Sequence, residues 1–275
     1  MMKKVVLIVV LIVVVGISLV PLSFHSGQST TGAMFKENIA ESSSASLNWA
    51  GYVISSSNYS VSEVNGSWII PQVATGGNSY VAFWVGIDGY NDNTVEQTGI
   101  LAEPSGHGPH ATTLYEVWYE FYPAAPVYAS YTAAAGDYVN ASVSYDSSTG
   151  VFTTSIAVNS STSLVGPVFT HTQTVSGALA DSAEWIVEAP SSVSGILPLA
   201  NFGTVYFGSD HTGFTHTNYA TISGTTGTMG SFNPIMITMV STSGTPEATP
   251  SSISSDGTSF SVTYDQSITS HGHSH

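Results

Sequence analysis

Residues Ala183–Glu188 read AEWIVE, two glutamates bracketing large apolar residues in a chain only 8% charged. Side chains alternate along a strand, so Glu184, Ile186 and Glu188 share one face, and Trp185 and Val187 share the other. At 3.3 Å per residue the two glutamate Cα atoms stand ~13 Å apart. The acids meet only if both side chains extend toward each other. A single carboxyl here can act as general base or general acid. A pair drawn to about 5–5.5 Å would instead be the arrangement of a retaining glycosidase. The non-catalytic alternative is an edge strand displaying two solvated acids.

Two further stretches carry chemistry. In VAFWVGIDGYNDNTVEQTGI, residues 81–100, a hydrophobic strand ends in a tight GIDG turn carrying Asp88. A short loop follows, then Glu96-Gln97-Thr98-Gly99. A glutamine amide cannot exchange protons as an acid or base. It can hold a water through its carbonyl and donate an N–H to a developing oxyanion. A loop glutamine is otherwise simply solvated. In LYEVWYEFYP, residues 114–123, alternation puts Glu116, Trp118 and Glu120 on one face, with Tyr115, Val117, Tyr119 and Phe121 on the other. Acids flanking an aromatic fit the floor of a groove, or the wet side of an amphipathic strand.

Other chemistries are poorly supported. The chain has no cysteine, so it has neither a thiol nucleophile nor disulfides. It has no serine nucleophile elbow and no H-E-x-x-H metal motif. His107 and His110 sit in a Gly/Pro loop, and His271, His273 and His275 fit a solvated end better than a metal site. No metal and no cofactor are expected. Lys3, Lys4 and Lys36 are the only basic residues apart from histidine, and the formal net charge is -15. Nucleic acid is excluded as a partner, because nothing after Lys36 could neutralise phosphates. A chain of carboxylates without Lys or Arg also escapes the positive self-repulsion that unfolds proteins in acid.

These residues must be placed by many short strands. Ser, Thr, Gly and Val abound, and helix periodicity is missing after the leader. The pattern predicts strands at 49–55, 65–70, 79–87, 112–122, 137–145, 151–158, 165–174, 182–188, 200–207, 232–241 and 258–264. Breaks such as ATGGN, DSSTG and SGTTGTMG separate them. An all-β antiparallel sandwich or barrel is expected. Residues 1–26 read as a signal peptide or signal-anchor, from two lysines and an apolar run over Val5–Val20. Residues 27–46 read as a linker or short pro-segment, 47–264 as one domain, and 265–275 as a flexible tail. The chain is expected to be secreted and monomeric, or tethered to a membrane if the leader is retained.

Taken together, NWAGY at 48–52, VNGSWIIP at 64–71, FWVGIDG at 83–89, EQTG at 96–99, LYEVWYEFYP at 114–123, AGDYV at 135–139 and AEWIVE at 183–188 resemble the glutamic peptidases (eqolisins). The match spans about 47–264. The resemblance implies a concanavalin-like β-sandwich of two antiparallel sheets and acid hydrolysis of polypeptides. It implies that Gln97 and Glu188 are catalytic, and that Trp84, Asp88 and Glu120 line or support the site. Trp118 and Glu184 are placed beside them as site-lining residues. Fungal members commonly carry disulfides and a long basic pro-segment, and this chain has neither, which leaves its activation route open. Two rivals stand beside this reading. One is a retaining glycosidase using Glu184 and Glu188, though Ile186 sits where such sites place a polar helper. The other is a carbohydrate-binding sandwich using the Trp118/Tyr119 region, which would bind without turnover.

Overall fold

The computed structural model describes residues 43–265 apart from 56–57, 59, 75–77, 107–110 and 161–166. The leader, His107, His110 and the tail histidines lie outside the described residues.

Among the described residues nineteen strands run in order: β1 Ser43–Ser46, β2 Trp49–Ser55, β3 Val61–Ile69, β4 Val81–Ile87, β5 Val95–Ser105, β6 Thr112–Tyr122, β7 Val127–Ala133, β8 Tyr138–Asp146, β9 Val151–Asn159 and β10 Val168–Thr174. They continue as β11 Ser182–Glu188, β12 Ser191–Ser192, β13 Gly195–Ile196, β14 Thr204–Phe207, β15 Tyr219–Ile222, β16 Thr225–Thr228, β17 Ile235–Val240, β18 Pro246–Pro250 and β19 Phe260–Tyr264. The pairings form one sheet in the order β1-β17-β2-β11-β4-β5-β6-β7, antiparallel except for the parallel β1–β17 pair. A second sheet runs β10-β9-β8-β3, with β14 and β15 both pairing along β3. The ladder from β17 through β18 and β19 to β14 joins the two at one side.

The main core lies between the sheets. Trp185, Val187, Phe83 and Val85 of the first sheet pack with Trp68, Val139, Val143, Phe152 and Ile156 of the second. Trp185 also donates its indole N–H to the Asn65 carbonyl across the layers, at 2.8 Å. Strands β8 and β9 alternate buried with partly exposed residues, as one-sided packing requires. Strands β4 and β11 are buried at every position. Their second face meets another apolar group, Trp49, Trp84, Leu101, Trp118, Ile186 and Ile237. Glu188, Gln97, Trp84, Trp118 and Glu120 lie on that second face.

The all-β sandwich expected from the pattern is what the structure shows, and the strands at 49–55, 112–122 and 182–188 fall on their expected bounds. The pattern missed β7, β15, β16 and β18, and three points that bear on the site differ as well. β11 is no edge strand with solvated acids, because β2 and β4 flank it. Residues 43–46, inside the expected linker, form β1, held by β17. Gln97 is not in a loop but in β5, whose sequence VEQTGILAEPS reads as a loop because polar residues and glycine interrupt it. β5 lies between β4 and β6, and its neighbours supply the burial its own composition does not announce.

Gly99 shows how tightly β5 is seated. A Cβ at this position would lie 2.2 Å from the Phe83 carbonyl oxygen and 2.6 Å from Trp84 Cβ. Both atoms belong to β4, and the Phe83 oxygen is backbone and cannot turn aside. Gly99→Ala is therefore expected to lower stability by about 3 kcal/mol, the upper range for overpacking, read from thermal unfolding.

Candidate active site

Register places the chemistry. Across β11, β4, β5 and β6, the row Glu184–Gly86–Gln97–Glu120 lies beside Ile186–Trp84–Gly99–Trp118 and Glu188–Ala82–Leu101–Glu116. Glu184, Glu188, Trp84, Gln97, Trp118 and Glu120 therefore all stand on one face of one sheet. The glycines at 86 and 99 leave room on that face for the Trp84 ring.

Glu188 is fully buried. Its Oε2 accepts the Trp84 indole N–H at 2.8 Å, and its Oε1 accepts the Asn48 amide at a long 3.4 Å. Trp49 stacks edge-on against Trp84, ring centroids 5.1 Å apart. Its own N–H meets no acceptor in bonding geometry, yet it too favours the ionised carboxyl. Burial outweighs these donors and pushes Glu188 up to about 8. That is well above the ordinary carboxyl value near 4. Removing a donor should raise the value further. Trp84→Phe takes away a hydrogen bond to the charged form, worth about 1.5–3 kcal/mol, or roughly 1–2 pH units. The titration of the Glu188 carboxyl, read from its carboxyl carbon resonance, should move to higher pH by that amount.

Gln97, also fully buried, donates its Nε2 to Glu120 Oε2 at 2.7 Å. That bond sets the orientation of the amide. The second Nε2 hydrogen and the Oε1 acceptor are left for other partners, since Gln97 Oε1 meets no donor. Glu120 is held well above the usual carboxyl range by burial and then by the charge of Glu188, while the Gln97 bond pulls the other way. The coupling joins the two halves of the site. Gln97 bonds Glu120, and Glu120 feels Glu188.

The other expected site residues divide. Trp118 packs with Trp84 and Trp49 in the apolar cluster on the same face. Asp88 and Glu184 gather elsewhere. Asp88 receives three backbone N–H groups just ahead of β11. Glu184 is fully buried and raised by burial, with Ser182 beside it and the charges of Asp88, Asp92 and Glu96 adding to the shift. Glu184 and Glu188 thus share a face but have different partners, so nothing pairs them as a dyad. Asn48 and Trp49 carry roles that sequence reasoning did not assign. Ser46 Oγ donates to Asn48 Oδ1 at 3.2 Å, which turns the Asn48 Nδ2 toward Glu188. The signal was the NWAGY motif, whose polar residue adjoins an otherwise buried strand.

The fold is a two-sheet sandwich that buries a carboxamide and two coupled carboxyls on one face of one sheet. The chain belongs to the Peptidase A4 family, whose sequence profile matches residues 47–264. It is 31% identical over 186 residues to aspergillopepsin-2 of Aspergillus niger, covering 59% of this chain. It spans 62% of that relative's length. Among solved structures, aspergilloglutamic peptidase from Aspergillus niger matches at TM-score 0.53 and 27% identity, over 68% of this chain and 99% of that one. Scytalido-glutamic peptidase with a peptide-based transition-state analogue matches at TM-score 0.61 and 21% identity, over 79% and 98%, and shares the fold. The resemblance to glutamic peptidases read from the motifs is therefore borne out.

Proposed function

We propose that this chain is a secreted, acid-acting endopeptidase in which Glu188 and Gln97 activate a water against a peptide bond. The observation that carries this reading is the buried group Gln97–Glu120–Glu188 on one sheet face, in a chain of the Peptidase A4 family. Ionised Glu188 takes a proton from the water as its oxygen bonds to the scissile carbonyl carbon. The Gln97 carbonyl holds the same water, and the Nε2 hydrogen not bonded to Glu120 meets the oxyanion. Glu188 then passes the proton to the amide nitrogen, the C–N bond breaks, and an acid and an amine leave. Glu120 is the positioning residue that fixes which end of the Gln97 amide faces the substrate.

Ionisation is the delicate step, because burial holds Glu188 up to about 8. In the reacting complex the attacking water donates to the carboxylate and joins the Trp84 and Asn48 donors. Each donor to the charged form lowers the pKa. The secretion reading rests on the leader, and acid action on the missing Lys and Arg, which spares the chain positive self-repulsion in acid. Polypeptides are the substrates this mechanism takes.

The test is digestion of denatured protein across pH 2–7, with Glu188→Gln as control. Cleavage in acid that the variant lacks supports the proposal. Full cleavage by the variant, or cleavage only of polysaccharide, overturns it.

A further inference from the structure

A second group of buried carboxyls sits at the other end of β11 and takes no part in the mechanism above. Asp88 occupies the turn after β4 with φ 70, a left-handed conformation unusual for a residue with a side chain. It is fully buried. Its Oδ2 accepts the backbone N–H groups of Leu179 at 3.0 Å and Ala180 at 2.8 Å, and its Oδ1 accepts that of Asp181 at 2.9 Å. Its own N–H donates to the Ser182 carbonyl at 3.1 Å. One side chain therefore pins the segment that feeds into β11, the strand carrying Glu188.

Glu96 of β5 stands next to it. It is fully buried, and neither of its carboxyl oxygens receives a donor from the protein. The Asp88 carboxyl is within its hydrogen-bonding reach. Two ionised carboxylates repel each other, and a proton placed between them turns the contact into a strong hydrogen bond. The remaining titratable groups around the pair are all acids. Asp92 in the turn accepts from the Gly89 N–H and the Thr94 hydroxyl, Asp181 accepts from Asn91, and Glu184 faces inward from β11. No Lys or Arg occurs in the chain after Lys36, so neither can neutralise them.

We propose that Glu96 carries a structural proton, donated to the Asp88 carboxylate, and that this acid–carboxylate clasp holds the entry to β11. Burial, and then the charge of Asp92, push Asp88 up to about 6 against the pull of its backbone N–H donors, so it gives up its proton before Glu96 and is the carboxylate partner above that pH. Glu96 is the acid because nothing but Asp88 can satisfy it. Burial, and then the charges of Asp88 and Asp92, push Glu96 up to about 10, which keeps the proton in place through acid and neutral pH. Raising the pH strips it, sets two bare carboxylates against each other, and frees the segment at 179–181. The clasp positions β11 and does not touch substrate.

The experiment measures hydrogen-exchange protection factors of the Leu179, Ala180 and Asp181 amides from acid to alkaline pH, in the full chain. In the wild type these amides should be protected near neutral pH, where Asp88 is ionised and Glu96 is not, and lose at least tenfold in protection at alkaline pH. Glu96→Gln supplies a permanent neutral donor to Asp88. It should keep both the protection near neutral pH and the hydrolysis seen in acid, and move the alkaline loss to higher pH. Asp88→Asn should lose protection at every pH. The proposal is overturned if Glu96→Gln loses protection at the wild-type pH, or if Asp88→Asn keeps it. Should Glu96→Gln fail to fold, the carboxyl carbon resonance of Glu96 in the wild type decides: ionisation below neutrality overturns the proposal, and its absence supports it. Amide exchange does not depend on peptidase activity, so this result stands apart from the fate of the proposed reaction.

Discussion

Glu188→Gln is expected to reduce kcat on peptide substrates by at least ~10³-fold while the protein stays folded. The amide is isosteric with the carboxyl but cannot take a proton from water or return one to the leaving amine. Its structural effect is bounded. Trp84 Nε1 and Asn48 Nδ2 both donate to the native carboxyl, and a glutamine amide can accept from only one of them while its NH2 group faces the other. Losing one buried hydrogen bond costs about 1–3 kcal/mol, which a folded domain can absorb. Gln97→Ala should fall nearly as far, by ~10²–10³ in kcat, the range for removing an oxyanion donor. It should also leave Glu120 without the bond that now lowers its pKa. The paired measurement is kcat on a peptide and the unfolding midpoint for each variant. Full turnover by folded Glu188→Gln removes it as the base. Full turnover by folded Gln97→Ala leaves a glutamate enzyme with a different oxyanion partner.

The AEWIVE strand was legible as a strand, because β-branched and aromatic residues crowd it, and the even spacing of its two glutamates put both on one face. The same rule put Glu116, Trp118 and Glu120 on one face of the 114–123 strand, and the structure keeps them there beside Gly99 and Leu101. Alternation reports faces and is silent on neighbours. It could not say that Glu184 would feel the charges of Asp88 and Glu96 while Glu188 met Trp84 and Asn48, because those groups lie far away in the chain. β5 was illegible for a related reason. Its glycine and polar residues are chosen by Trp84 and Glu120 on the flanking strands, so the local sequence carries no strand signal of its own. The pKa of Glu188 was likewise out of reach, since it depends on how completely the site is sealed. Residue types at fixed spacing point to a carboxyl. Only packing decides how tightly that carboxyl holds its proton.

That dependence on packing gives the largest expected effect on the whole molecule, a loss of stability as the pH rises from acid to alkaline. Burial lifts Glu96 from 4.5 to about 10 and Glu188 from 4.5 to about 8. Glu120 and Glu184 are raised well above 4.5 for the same reason. In the unfolded chain all four lose their protons near the ordinary value. Between that value and the raised one, the folded state binds more protons than the unfolded state, and stability falls as pH increases. The contribution is intact below about pH 4.5 and declines from there, to about 8 for Glu188 and about 10 for Glu96. Each unmatched proton steepens the decline by about 1.4 kcal/mol per pH unit. Asp146 and Asp256 act in the opposite sense, lowered below 3.8 by hydrogen bonds to Ser148 and Ser254, but only at the acid end. A protein whose carboxylates sit in ion pairs gains stability as pH rises through this acid range; without Lys or Arg after Lys36, this one has no such pairs to gain. Urea unfolding at pH 4, 5, 6, 7 and 8 should show midpoints that drop at every step. A flat or rising series would mean that the interior carboxyls ionise at ordinary values in the fold, and that water reaches them.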